Sequence, residues 1–197
     1  MTNDKKVILL YGRFSEKIDG VPIIDIPECN PNNENNWMGW TKKELEKKNF
    51  KAYCPIVPKV WQAPYADWKK EIDKFDVDKN TTLVGLSAGG AAVVRYIIEE
   101  KKFIKKLILV APAINTAESE WKEFYDFEID ENVKKQIQNG TTIFYDTKDW
   151  EGIVKSVEIY RNKLNAKAIQ MPGYGHFSFL IHTFPELLNE ILMANGD

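Results

Sequence analysis

Apolar positions along the chain fall into six short runs, at residues 7–11, 50–54, 81–85, 106–111, 142–145 and 166–170. Each is apolar on consecutive positions, the pattern of parallel strands buried on both faces. Between them apolar residues recur every three or four positions. In 65–75 they are Tyr65, Trp68, Ile72 and Phe75, and 40–48, 88–100 and 153–164 also read as helices. A last helix is predicted over 184–193, with Thr183 and Glu186 spaced as a capping box and Pro185 in the first turn. Strands alternating with helices predict an α/β fold, a parallel sheet with helices on both faces.

Two segments break the alternation. Residues 14–36 are long for a strand-to-helix loop and contain "NPNNENN", a run that favours turns. Residues 114–130 hold "EWKEFYDF", and the expectation is a small lid in which Trp121, Phe124 and Tyr125 line an apolar acyl pocket.

The stretch "TTLVGLSAGG" places Ser87 between a strand pattern and a helix pattern, with Gly85 two residues before it and Gly89 two after. A serine on a sharp strand-to-helix turn needs small residues at those two places, because the backbone passes close to itself there. Such a turn lifts the hydroxyl out at the C-terminal edge of the sheet. The hydroxyl then needs a base to act as a nucleophile. Of the two histidines, His176 lies in "MPGYGHF", directly after the last strand pattern, where an α/β protein gathers its site. His182 reads as a surface histidine. The loop after the fifth strand, "YDTKDWEG", offers Asp146, Asp149 and Glu151 to orient the imidazole. Reach favours Asp149, because Asp146 stands at the end of the strand; Asp146→Asn is accordingly expected to lose little activity. An oxyanion would be met by the backbone N–H of Ala88, at a helix N-terminus, and by that of Arg13, with Gly12 allowing close approach. For these loops to meet, the first and third strands must be neighbours, which predicts the sheet order 2-1-3-4-5-6.

"GLSAGG", "DTKDW" and "GYGHF", in this order, resemble the α/β-hydrolase superfamily over essentially the whole chain. More narrowly, "NWMGWTKKELEKK", "YADWKKEI" and "GHF" resemble the small serine hydrolases related to retinoblastoma-binding protein nine. The resemblance implies a three-layer minimal α/β-hydrolase without the superfamily's first two strands. It carries the nucleophile onto Ser87, the acid onto Asp149 and the base onto His176. It also implies an esterase or related acyl hydrolase acting on a small acyl substrate. The sequence departs from the family by lengthening the loop after Gly12.

Composition narrows the alternatives. A net charge of −2, with lysines interleaved among acids and arginine only at 13, 95 and 161, describes a solvated mixed-sign surface and argues against nucleic acid. No apolar run has the length of a membrane span, and the N-terminal apolar stretch is too short for a signal peptide. Cys29 and Cys54 read as free thiols of a reducing cytoplasm, with no metal-ligand spacing and no cofactor motif. Nucleotide binding is disfavoured, since "GLSAGG" lacks the Lys-Ser/Thr ending of a phosphate loop. A cysteine hydrolase built on Cys54 lacks a glycine elbow, and Pro55 follows directly. The remaining alternative is a non-catalytic interaction module that keeps the hydrolase fold and uses Trp37, Trp61 and Trp121 as partner anchors.

Overall fold

The computed structural model describes residues 5–114 and 121–196. Along the chain come β1 (Lys6–Leu10), a small hairpin of β2 (Lys17–Ile18) and β3 (Val21–Pro22), and α1 (Trp37–Glu46). They are followed by β4 (Lys51–Tyr53), α2 (Tyr65–Asp73), β5 (Thr81–Leu86), α3 (Ala88–Glu99) and β6 (Lys106–Val110). Then come β7 (Thr141–Tyr145), α4 (Glu151–Leu164), β8 (Lys167–Gln170) and α5 (Pro185–Asn195). The main sheet is six-stranded, parallel throughout, and ordered β4-β1-β5-β6-β7-β8. With the hairpin set aside this is the order 2-1-3-4-5-6 expected from the sequence.

The consecutive apolar runs are explained by the two cores they feed. Ile8, Leu10, Leu83, Leu107, Leu109 and Ile143 point to the face covered by α2, α3 and α4. Val7, Leu9, Val84, Ile108, Val110 and Phe144 point to the opposite face, under α1 and α5. Alternate residues of one strand thus enter different cores, and no position in β5 or β6 is left exposed. Helix α1 lies on the face opposite α2 and α3 because the chain moves outward from β1 to β4. It then returns past β1 to β5, and right-handed crossovers in opposite directions cover opposite faces. The reversal opens a crevice between β1 and β5 at the carboxyl ends of the strands.

Two local expectations are corrected. Helix α1 begins at Trp37 rather than at residue 40, because Asn36 caps it: its side-chain oxygen accepts from the N–H groups of Met38 and Gly39 at 3.0 and 3.1 Å. The same amide donates to the carbonyls of Glu28 and Asn30. The asparagine run is therefore scaffold as well as turn, with Asn32 reaching the Cys54 carbonyl and Asn33 that of Pro27. The capping box proposed at Thr183 and Glu186 does not form. Phe184 holds the N-cap position of α5, with its ring buried, and makes no side-chain cap. Burial of that ring against Trp37, Phe144 and Phe177 sets the entry to the helix.

Both cysteines are free and buried, and burial pushes the Cys29 thiol up to about 11 and Cys54 to about 12. Among the described residues no helix is long and apolar enough to cross a membrane, and no three His, Cys, Asp or Glu side chains group as a metal site.

Candidate active site

Ser87 stands between β5 and α3 with φ 52° and ψ −120°, in a region that side chains rarely adopt. The neighbouring glycines make this turn possible. A Cβ on Gly85 would lie 2.6 Å from the Gly89 carbonyl oxygen, and one on Gly89 would lie 2.4 Å from that of Tyr11. The turn is tied to the next strand by Ser87 N–H donating to the Val110 carbonyl at 2.9 Å, and by Ala113 N–H donating to that of Ser87 at 3.1 Å.

Strand register brings the loop after β1 alongside. Leu10 pairs with Gly85, so two residues further on Gly12 meets Ser87, and a Cβ on Gly12 would stand 3.0 Å from the serine Cβ. Neither the Ala88 nor the Arg13 backbone N–H finds an acceptor among the described residues. The Arg13 side chain is engaged elsewhere, on two aromatic rings and a carbonyl. Its guanidinium lies 3.4 Å from the centre of the Trp121 ring and 4.3 Å from that of Phe124, and it donates to the Ala63 carbonyl at 2.8 Å. Burial lowers its pKa to about 10, against the opposing pull of Tyr125 and Glu123, so it stays cationic near neutrality.

The loop after β7 carries two aspartates with different partners. Asp149 Oδ2 is 2.8 Å from His176 Nδ1, and the aspartate side chain is 1% exposed against 24% for the histidine. Its other oxygen accepts from the Trp150 N–H at 2.6 Å. The buried Asp146 instead accepts from the N–H groups of Lys148 (2.9 Å), Gly173 (2.8 Å) and Gly175 (3.0 Å). Its carboxyl is held below the usual carboxylate range, first by the Lys148 N–H and next by Gly175, with Gly173 assisting and burial opposing. Asp146 thus binds the loop after β7 to the loop after β8. The indole of Trp150 stacks on the His176 ring, centroids 4.4 Å apart and planes 29° apart, while remaining 69% exposed. No sequence motif marks Trp150 as a site residue. Stacking of two rings 26 positions apart depends on how the two loops fold, and the only hint was an aromatic beside the chosen acid.

From His176 the chain turns back over the carboxyl edge of the sheet. The Trp37 indole N–H donates to the Phe177 carbonyl at 3.0 Å, and the Phe179 ring comes within 6.2 Å of Phe14, just beyond Gly12. The histidine loop, which starts at the β8 edge, therefore spans the strand ends that carry Ser87. Among the described residues the serine hydroxyl makes no hydrogen bond to the imidazole. His182 lies apart, its ring against the Asn35 carbonyl.

The aromatic segment departs from expectation. Residues 115–120 of the proposed lid lie outside the described residues. Phe124, expected to line an acyl pocket, is 1% exposed and packs edge-on against Trp68 and Tyr65 in the core. Trp121 is half-buried over Arg13, and Tyr125 is half-buried beside both cores. Arg95 of α3 pins this turn through the carbonyls of Glu123 and Phe124. Trp37, considered as an exposed anchor, is buried in the core at 1% exposure.

A model of the serine hydrolase family matches residues 24–180. None of the curated proteins matches the chain. Among solved structures, the ydeN gene product of B. subtilis superposes with a TM-score of 0.78 at 18% identity, over 98% of this chain and 100% of that one. Est1E from Butyrivibrio proteoclasticus gives 0.63 at 12% identity, over 98% and 89%. Naproxen esterase (carboxylesterase NP) from Bacillus subtilis gives 0.58 at 10% identity, over 100% and 86%. At these identities the likeness is one of fold, that of the α/β-hydrolases.

Proposed function

Because the chain belongs to the serine hydrolase family, we propose that it hydrolyses small carboxylic esters through an acyl-enzyme, with Ser87 as nucleophile, His176 as base and Asp149 as the acid that orients it. The observation that carries this reading is the 2.8 Å contact between Asp149 and His176 Nδ1, made by loops at the same sheet edge as the strained Ser87 turn. With Nδ1 donating to the carboxylate, Nε2 is left without its proton and can take one from the Ser87 hydroxyl. The serine Oγ then attacks the ester carbonyl. The oxygen that becomes negative is met by the unpartnered N–H groups of Ala88 and Arg13, the first of them at the positive end of α3. His176, now protonated and stabilised by Asp149, gives its proton to the departing alkoxide. Water repeats the sequence to release the acid. A purely non-catalytic module is less well supported, since Trp37 is a core residue and not an anchor.

The test is covalent labelling by a fluorophosphonate, which mimics the tetrahedral state, alongside hydrolysis of para-nitrophenyl acetate. Both should disappear in Ser87→Ala and nearly disappear in His176→Ala. Folded wild-type protein that takes no label and cleaves no ester would overturn the reading.

A further inference from the structure

The insertion after Gly12 encloses a cavity of about 480 Å³ between the segment around residues 23–31 and the loop 55–61, with Trp68 in its wall. The size is that of a site for a small organic molecule. Its walls include Tyr11, Phe14, Ile24, Cys29, Ile56 and Val57, and among the described residues Lys59 is the one charged side chain lining it. The insertion is held in place from within, through the Tyr11 hydroxyl on the Cys29 carbonyl at 2.9 Å and the Asn32 amide on that of Cys54 at 2.9 Å. Two wall residues, Ile24 and Ile56, are 85% and 54% exposed. Large aliphatic side chains left in water beside an apolar cavity suit a mouth that a ligand covers.

Ser87, Asp149 and His176 are not part of the cavity wall, but the wall leads to the glycine that packs on Ser87. Tyr11 and Phe14 line it, and the backbone between them includes Gly12, which lies against Ser87. We propose that this cavity is the acyl-chain subsite and that it takes an aliphatic chain of medium length. The assignment rests on the hydrolase reading given above, and its direction follows from the chemistry. The leaving oxygen must face His176 to receive a proton, and that side chain is held by Asp149 on the β7 side of the serine. The part of the substrate that stays on the serine then extends the other way, over the ends of β1 and β4, where the cavity lies. Apolar walls favour hydrocarbon over a charged or sugar-like acid.

Two readouts separate this subsite from the hydrolysis itself. The first is kcat/KM for para-nitrophenyl octanoate relative to the acetate. Burying a methylene is equivalent to about a fourfold gain at most, so six partly buried ones should raise the ratio to on the order of 10². Ile56→Glu and, separately, Ile24→Glu at the mouth should lower it at least about tenfold, since a carboxylate there opposes entry of hydrocarbon. Ile159→Glu, an exposed α4 residue outside the cavity, should leave the ratio unchanged. The second readout needs no turnover. Trp61 and Trp68 line the cavity, so octanoate should change the tryptophan fluorescence of Ser87→Ala saturably and acetate should not, with the response lost when Ile56→Glu is added. A ratio near one in the wild type, a ratio untouched by both mouth variants, or no saturable response to octanoate would overturn the subsite. Octanoate binding that is sensitive to Ile56→Glu, in a protein that cleaves neither ester, would support the cavity and overturn the hydrolase reading instead.

Discussion

Asp146 and Gly175 are joined by a 3.0 Å hydrogen bond, and through it the loop that carries Asp149 holds the loop that carries His176. A second bond, donated by the Gly173 N–H to the same carboxylate oxygen, makes the link two-pronged. The two aspartates therefore divide the work: Asp149 touches the imidazole, and Asp146 fixes the distance between their loops.

Asp149→Asn should fold as the wild type does and lose activity by about 10⁴, because an amide releases the histidine into the wrong tautomer. Ester turnover checks this, with thermal melting as the control for folding. Turnover within tenfold of wild type would remove Asp149 from the proposed mechanism.

For Asp146→Asn the sequence expectation of a near-silent change is revised. An amide cannot accept at both of its heavy atoms, so at least one of three N–H donors loses its partner, at a cost of roughly 2 kcal/mol. Activity should fall with it, as His176 loses its support. The acid dependence follows in sign. The folded pKa is depressed below the unfolded value of about 3.9, so the carboxylate's contribution is complete above that value and is lost as pH falls through the folded one. Urea midpoints at about pH 7 and about pH 3 should drop further in wild type than in Asp146→Asn. Equal drops would show that Asp146 is not a source of the acid sensitivity.

The tight contacts of the serine turn rank three glycines. Gly85→Ala and Gly89→Ala each drive a Cβ into backbone at 2.6 and 2.4 Å, and should either prevent folding or destabilise by more than the ~1–3 kcal/mol of ordinary overpacking. Gly12→Ala meets the serine Cβ at 3.0 Å, so it should fold and mainly depress turnover. Melting temperatures and kcat of the three variants, side by side, test the ranking.

Trp150→Ala removes the ring stacked on His176 from a position that is 69% exposed. Stability should change little, while kcat falls several-fold with KM nearly constant. Trp150→Phe, which keeps a ring, should recover most of the loss. A change confined to KM would mean that Trp150 touches substrate instead of positioning the imidazole.

The sheet order was legible because chemistry and topology constrain each other. If Ser87 is to meet Gly12, β5 must lie beside β1, and the structure pairs Leu10 with Gly85. The serine turn was legible for a related reason, since its glycines answer backbone clashes local in sequence. Asp146 was legible as a turn former, through its bond to Lys148, but its link to the next loop was not, because those donors are backbone groups 27 and 29 residues away, which no side-chain pattern announces. Phe124 was misplaced because aromatics crowded among acids look the same whether they cover a ligand or plug a core. The asparagine run gave away its turns but not Asn36, whose cap and carbonyl contacts depend on how the insertion folds back on itself.

The positive φ of Ser87 sets stability against reactivity within a single residue. A side chain held at φ 52° and ψ −120° carries a backbone penalty of about 1–3 kcal/mol, which glycine would largely escape. Ser87→Gly should accordingly melt at a higher temperature than the wild type while losing the hydroxyl proposed as the nucleophile. Selection for thermal resistance alone would then favour glycine here, so the proposed nucleophile is held at the expense of the chain's own persistence.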